Sequence, residues 1–382
     1  MATDPLLVCA PQAAGVRPRE DVPLAPLTTF RVGGQARYFW EASDDIGVLA
    51  SLAWARQRNV PVTILGGGSN VLVSDAGVPG LVVRVRPQGV RPLGEVGDEV
   101  HLQVGAGEAF DAVVRQSIRA GWAGLECLSG IPGCVGATPI QNVGAYGQEV
   151  AETIRGIRAV DITSGAVVTL TPAGCRFGYR SSAFKEEWRG RYVVLAVTFG
   201  FRPGGAPTVR YTQVGEALLT LGYAQPTLTA VRAAVLSIRR TKSMLVNPRD
   251  PNARSAGSFF TNPIVDADAL AGIHASLSRR GGEALPAAMP SCRLPDGRLK
   301  LSAGWLIEQA GFTRGMTEGP VGLSSYHALA IVNRGGATAA HILAFARRIH
   351  RVVFDTFGLT LAPEPALLGF SDEELGALKS AG

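Results

Sequence analysis

The sequence predicts a mixed α/β protein with more than one domain. Three observations carry this reading. The chain has 382 residues, enough for two or three domains with cores of their own. Its 47 glycines and 24 prolines demand many turns and disfavour an all-helical chain. Its apolar periodicity switches repeatedly between helical and strand spacing.

The elements follow in chain order. Residues 1–20 read as a loose extension. Ser43 stands where it would cap a helix carrying Ile46, Leu49, Leu52 and Ala53. Residues 62–65 read as a strand entering a glycine turn at 66–70, with further short strands at 71–73 and 81–83. A second unit opens near Val100 with a strand at 101–104. It continues into a helix at 110–120, with Phe110, Val113, Val114 and Ile118 on one face. Residues 129–147 are too rich in glycine for a helix interior. Residues 160–162 and 167–170 flank Ser164-Gly165 as a hairpin, and 192–201 form an apolar strand. Residues 203–208 are a loop, 228–241 are helical, and 279–298 read as an exposed insertion rich in Gly, Pro and Arg. In the last helix Ile342, Phe345, Ile349 and Val352 share a face, and Gly358 offers its stop.

Composition narrows the function. The net charge is +6, but no dense Lys/Arg tract interleaves with aromatics, so nucleic acid is not an expected partner. A mild positive excess suits an acidic small molecule such as a diphosphate, although it equally describes a solvated basic surface. The five cysteines, Cys9, Cys127, Cys134, Cys175 and Cys292, are odd in number and widely spaced. Neither a disulfide framework nor a zinc site is expected, and free thiols suit a reducing cytoplasm. The N-terminus does not resemble a secretory signal, with Asp4 and Pro5 early and the first basic residue at Arg17. No apolar run reaches the length of a membrane span.

The glycine clusters fail the dinucleotide fingerprint: the sixth position is Val71 counted from Gly66, and Phe110 counted from Gly105. The P-loop pattern is absent as well. Two polar turns remain, Gly66-Gly67-Gly68-Ser69-Asn70 and Ser129-Gly130-Ile131-Pro132-Gly133, the second continuing through Thr138, Asn142, Gly144, Ala145 and Tyr146. Such loops either build tight turns or wrap a pyrophosphate with backbone N–H groups. Far apart in the chain, Tyr179-Arg180, Gly257-Ser258 and Pro363-Glu364 offer a guanidinium, a hydroxyl and a carboxylate. These groups can supply charge stabilisation and proton transfer. A nucleotide-cofactor enzyme with a separate reaction site is the combined reading.

Several motifs in order carry a family resemblance over about residues 27–369. They are Thr29-Phe30-Arg31-Val32-Gly33-Gly34, the turn at 66–70, Gly130-Ile131-Pro132-Gly133, and Gln141-Asn142-Val143-Gly144-Ala145-Tyr146-Gly147. Tyr179-Arg180, Gly257-Ser258-Phe259-Phe260, Ala303-Gly304-Trp305-Leu306-Ile307 and Pro363-Glu364 complete the set. On these the chain resembles the UDP-N-acetylenolpyruvoylglucosamine reductases, in the longer form with a tyrosine loop. The resemblance implies an α+β architecture: a vanillyl-alcohol-oxidase-type (PCMH) FAD-binding fold of two subdomains plus a C-terminal α+β substrate-binding domain. The implied limits are an extension at 1–20, FAD-binding subdomains at 21–85 and 86–225, a substrate domain at 226–369 and a tail at 370–382.

The resemblance also implies noncovalent FAD, NADPH as hydride donor, and UDP-N-acetylglucosamine enolpyruvate as the substrate reduced to UDP-N-acetylmuramate for peptidoglycan. Hydride would pass from reduced flavin N5 to the terminal enolpyruvyl carbon. Ser258 would then protonate the adjacent carbon, with Arg180 and Glu364 stabilising the charge that develops on the carboxylate. Glu364 can help only as an acid or through a neighbouring donor. The two polar turns and their continuation would hold the cofactor, and Tyr211, Lys242, Asn262 and His327 the sugar nucleotide. Plainer readings stand beside these: a surface ion pair for Arg180, a small turn residue for Ser258, a solvated loop acid for Glu364 and a core histidine for His327. The chain departs from the family pattern in a longer loop at 243–254, in the 279–298 insertion, and in Pro365-Ala366 after Glu364. A flavin-dependent oxidase of the same fold and a non-catalytic flavin or sugar-nucleotide regulator are the alternatives. The oxidase reading is weakened because neither glycine turn carries a histidine for covalent flavin attachment. A monomer is expected.

Overall fold

The computed structural model describes residues 17–279 and 289–379. The chain forms two compact units, each assembled from separate stretches of sequence. The first takes the chain up to Val22, Ala36–Gly68 and Val78–Thr241; the second takes Pro23–Gln35, Ser69–Gly77 and the chain from Lys242 onward.

The first unit holds two large sheets and a small hairpin sheet. One has four strands in the order Arg19–Pro23, Gln35–Ala42, Val78–Val85, Val62–Leu65. The last three run parallel, and helix α1 (Asp45–Gln57) supplies the crossover that parallel strands need. The extension expected at 1–20 therefore ends early, because Arg19 already lies in a strand; residues 1–16 fall outside the described residues. Asp44, not Ser43, caps α1. Its carboxylate accepts the Gly47 amide at 2.7 Å, and an acid at a helix N-terminus also meets the favourable end of the dipole. The buried face is Val48, Ser51, Leu52 and Ala55, whereas Ile46 is 59% exposed.

The second sheet is antiparallel, in the order Val167–Leu170, Ile154–Asp161, Tyr192–Pro203, Glu99–Gly105, Val90–Val96. Val160 pairs with Val167 across the expected hairpin. The strand Val90–Val96 was not foreseen from the sequence; Pro92 and Gly94 interrupt its pattern, and it lies at the sheet edge with most residues exposed. Helix α2 (Phe110–Arg119) buries Phe110, Val113, Val114 and Ile118 as its spacing predicts. Two more helices follow, α3 (Thr212–Thr220), absent from the sequence reading, and α4 (Leu228–Thr241). Val214 and Leu218 of α3 cover Val231, Val235 and Ile238 of α4, together with Cys127. That packing makes α4 part of the first unit and not of a C-terminal domain beginning at 226.

The second unit contains α5 (Ala267–Arg279), α6 (Ala303–Gln309) and α7 (Ala339–Phe357), with small antiparallel sheets. Gly358 ends α7 in the left-handed region at φ 68°. Of the expected insertion, 280–288 lie outside the described residues, and Ser291–Arg293 pairs with Leu299–Leu301 as an ordinary hairpin. The expected tail has structure of its own: Ser371 caps the short helix Asp372–Leu375, and Leu378 joins the core. No helix among the described residues is long and apolar enough to cross a membrane.

Two early stretches complete this unit. Val71–Val73 pairs in parallel with Ala366–Leu368. The Phe30 ring stands edge-on to Phe259 at 6.3 Å, and the Asn333 amide donates to the Phe30 carbonyl at 2.9 Å. Gly77 lies at φ +79°, and a Cβ there would meet the Gln35 carbonyl oxygen at 2.0 Å, so only glycine fits. The Asp75 carboxylate accepts the Ala339 and Ala340 amides at 2.8 Å each, satisfying the first turn of α7. These contacts explain why 23–35 and 69–77 leave the expected 21–85 subdomain. Replacing Asp75→Ala removes both bonds and should cost about 1 kcal/mol, lowering Tm by about 2–4 °C in thermal unfolding. Asp75→Asn, which keeps one acceptor, should lose less.

Candidate active site

In the first unit the two glycine turns meet backbone to backbone. A Cβ on Gly67 would lie 2.8 Å from the Gly133 Cα, and one on Gly66 would lie 2.8 Å from the Cys134 Sγ. Gly68, Gly130 and Gly133 all adopt positive φ. The result is a cradle that any side chain would fill, lined by main chain, which is what close approach to a pyrophosphate requires. The second turn is held from behind. The Asp111 carboxylate accepts the Gly130 amide at 2.6 Å and takes a bidentate grip from Arg232 at 2.7 and 2.8 Å. Burial works against the charged acid, but the Arg232 and Gly130 bonds keep its pKa below the ordinary carboxylate value. Ser129 and Thr138 direct their hydroxyls to the carbonyls of Glu126 and Val135, so these two shape the turn from within. Ile131 donates its amide to Leu128, and Pro132 leads into Gly133.

The continuation of this loop is unusual backbone. Asn142, Tyr146 and Arg180 have φ of 46°, 51° and 51°, a region disfavoured for side chains of this size. Asn142 is fully buried and commits its amide inside the unit, donating to Glu149 at 2.6 Å and to the Gly178 carbonyl at 3.0 Å while accepting the Ala151 amide at 3.1 Å. It holds the loop with its side chain. Gly144–Ala145 and Gln148–Glu149 form a two-residue hairpin in which Tyr146 and Gly147 both have positive φ. The Arg180 guanidinium donates to the Gly144 carbonyl at 2.6 Å and lies over the Tyr179 ring, 5.3 Å from its centroid. The arginine is thus oriented by the same loop that carries the candidate cofactor residues.

The Tyr146 ring is half-buried and meets the ring of Tyr211 edge-on at 5.8 Å. Burial pushes the Tyr146 phenol above its ordinary pKa, against the pull of Arg239. Arg239 on α4 is itself buried, which lowers its pKa, and hydrogen-bonds the Tyr146 hydroxyl. Tyr211 is 49% exposed and precedes α3.

In the second unit the backbone segments that carry Ser258 and Glu364 pair with each other. The Glu364 amide donates to the Phe259 carbonyl at 2.8 Å, and Phe260 bridges to Pro363. Phe259 and Phe260 are buried, and Ser258, after Gly257 at φ 76°, stands half-buried at the lip of that pair. Asn70 closes the other side, donating its side-chain amide to the Glu364 carbonyl at 3.3 Å and accepting the Ala366 amide at 3.0 Å. Pro365-Ala366 therefore leaves the backbone of Glu364 firmly held. The Ser69 carbonyl accepts from Thr29 at 3.3 Å. The Asn262 side-chain oxygen accepts the Ala303 amide at 3.0 Å, at the start of α6. His327 is held neutral to about pH 4 by burial and by the nearby positive charges of Lys242 and Arg314.

Sequence reasoning did not find Asp111, Arg232, Arg239 or Glu126. For Glu126 a signal was present: an acid inside Leu125-Glu126-Cys127-Leu128 must be buried and partnered. Burial pushes the Cys127 thiol up to about 12 and Cys175 to about 11, which suits neither to act as a nucleophile. No cluster of metal-ligating side chains occurs among the described residues.

Comparison with known proteins agrees with this geometry. The family model described as the UDP-N-acetylenolpyruvoylglucosamine reductase C-terminal domain matches residues 249–368, and an FAD-binding domain model matches residues 37–171. Proteins named UDP-N-acetylenolpyruvoylglucosamine reductase from Streptomyces coelicolor and Nocardia farcinica are 43% and 45% identical, each over 93% of this chain and 91% of the relative. A crystal structure of UDP-N-acetylenolpyruvylglucosamine reductase from Thermus caldophilus superposes with a TM-score of 0.61 at 27% identity, covering 91% of this chain and 98% of that one. With cradle, fold and full-length similarity in agreement, the chain belongs to the UDP-N-acetylenolpyruvoylglucosamine reductase family.

Proposed function

We propose that Arg180, Ser258 and Glu364 carry the charge and proton chemistry of this protein, which reduces UDP-N-acetylglucosamine enolpyruvate with FAD and NADPH in peptidoglycan synthesis. The observation that supports the reading is the backbone pairing of Phe259 with Glu364, which joins the segments that carry Ser258 and Glu364. The glycine cradle suits the pyrophosphate of FAD: the main chain of residues 66–68 and of Gly133 would approach it, Gly130 being pinned from behind by Asp111, and the hairpin carrying Tyr146 would flank it. When bound, FAD supplies the two-electron relay from NADPH.

Hydride addition to the terminal alkene carbon leaves negative charge on the neighbouring carbon and its carboxylate. Arg180 meets that carboxylate with a planar fork of donors, pre-oriented by the Gly144 carbonyl and the Tyr179 ring. Ser258 delivers the proton to the carbon. A serine hydroxyl is a weak acid, so Glu364 serves beside it to restore that proton or to relay it from solvent. Tyr211, Lys242, Asn262 and His327 serve the sugar nucleotide, with Lys242 balancing diphosphate charge. His327 is neutral at working pH and offers a hydrogen bond in place of a third cation. The protein acts on this small molecule as a monomer in a cytoplasmic setting.

Ser258→Ala should leave flavin reduction by NADPH near normal and slow reoxidation by the sugar nucleotide about 10²–10⁴-fold in anaerobic stopped-flow. Equal loss in both half-reactions would remove Ser258 from the role of acid. Arg180→Lys keeps the charge but loses the fork, and kcat should fall about 10²-fold with FAD content unchanged. The histidine gives a pH signature. Its folded pKa of about 4 lies below the unfolded 6.5, so the unfolded chain binds the extra proton. Stability should be unaffected by this group above pH 6.5, fall as pH drops toward 4, and lose about 3 kcal/mol in all before levelling off. Denaturant unfolding at pH 7 and pH 4.5 checks this, because His327→Gln should lose less stability on acidification than the parent.

A further inference from the structure

Glu126 is 0% exposed, yet the chemistry above gives it no part. One carboxylate oxygen accepts the Thr208 amide at 2.7 Å and the Gln148 side-chain amide at 3.3 Å; the other accepts the Gly124 amide at 2.8 Å. Gln148 in turn accepts the Cys127 amide at 2.9 Å and donates to the Thr208 hydroxyl at 3.2 Å. The Cys127 thiol donates to the Thr208 carbonyl at 3.2 Å. Every polar group of Thr208 is therefore engaged by one buried network.

The two ends of that network matter. Gln148 belongs to the hairpin whose turn presents Tyr146 and Gly147. Thr208 leads into an arm on which Val209, Tyr211, Leu219, Leu221 and Tyr223 are exposed, while Val214 and Leu218 pack it against α4. Two contacts beyond Thr208 return to the same hairpin: Arg210 donates to the Gly147 carbonyl at 3.2 Å, and Tyr211 rests against Tyr146. The anchor, the arginine, which also pairs with Glu152, and the edge-on ring contact tie the start of the arm to this hairpin and the turn after it.

We propose that Glu126 is a positioning residue whose buried carboxylate locks Thr208 to the Gln148 hairpin and so holds Tyr211 over Tyr146, joining the cofactor turn to the substrate-facing arm. The proposal rests on the reading of Tyr211 as a substrate contact. A buried carboxylate suits the task because three donors converge on it, and a neutral amide in its place would turn one donor against another.

The test uses the holoenzyme and titrates UDP-N-acetylglucosamine enolpyruvate under anaerobic conditions without NADPH, following the flavin absorbance. Glu126→Gln should weaken Kd about tenfold and raise KM in parallel, with kcat within about twofold. Thr208→Ala, which removes only the hydroxyl bond to Gln148, should weaken Kd about two- to fivefold and covers the case in which Glu126→Gln fails to fold. The effects of Glu126→Gln and Tyr211→Ala should be non-additive, because both act through the same ring. If Tyr211→Ala leaves Kd unchanged, the reading of Tyr211 has failed and the proposal falls with it. If Tyr211→Ala weakens binding while Glu126→Gln and Thr208→Ala bind normally, the lock alone is overturned. Additive losses, or a fall in kcat, FAD content and Tm together, would make Glu126 a purely structural acid and also overturn it.

Discussion

The close approach of Gly67 to Gly133 is the constraint on which the first unit turns. Two loops from distant parts of the sequence can meet at that distance only if neither has a Cβ in the way. What lines the meeting point is main chain, and free main-chain amides at such a point favour anions. The rest follows from holding that contact. Gly136 packs against Ala106, where a Cβ would come within 2.6 Å, and Asp111 with Arg232 pins Gly130. The strained backbone of Asn142, Tyr146 and Arg180 persists because buried hydrogen bonds over-determine it.

The second unit solves a different problem. Its candidate groups must handle protons, so they are side chains on rigid backbone. Ser258 and Glu364 stand on segments that pair with each other and are backed by Phe259 and Phe260. A neutral imidazole beside Lys242 and Arg314 keeps the local field from becoming uniformly positive.

What the sequence revealed and what it hid have physical reasons. α2, α4 and α7 were legible because each buries one stripe of large side chains, and the end of α7 because Gly358 must adopt positive φ. α3 was not, since it is short, contains Gly215 and exposes Leu219 on its outer face. The cap of α1 was misread by one residue, because serine and aspartate are near-equal caps and only the loop geometry chooses Asp44. The glycine turns and the Ser258 and Glu364 motifs were visible as residue types. That Gly130 is held by Asp111, and that Glu126 is buried at all, depends on contacts no local pattern encodes. The boundary at 226 failed for the same reason: α4 finds its partner in α3, and a change of composition says nothing about partners.

The interleaving of the chain has a consequence for biosynthesis. The second unit needs Phe30, Val71–Val73 and Asp75 from the first quarter of the sequence, but their partners at Asn333, Ala366–Leu368 and Ala339 emerge from the ribosome near the end. The early stretches must wait, already translated and flanked by strands of the first unit, until the last helix is made. Contacts so far apart in sequence carry a large loop-closure cost, so the second unit should be the later and slower to consolidate. A fragment starting at residue 242 would lack one strand of its terminal pairing and the carboxylate at the head of α7. The C-terminal half is thus a domain by sequence similarity that cannot be excised by cutting the chain once.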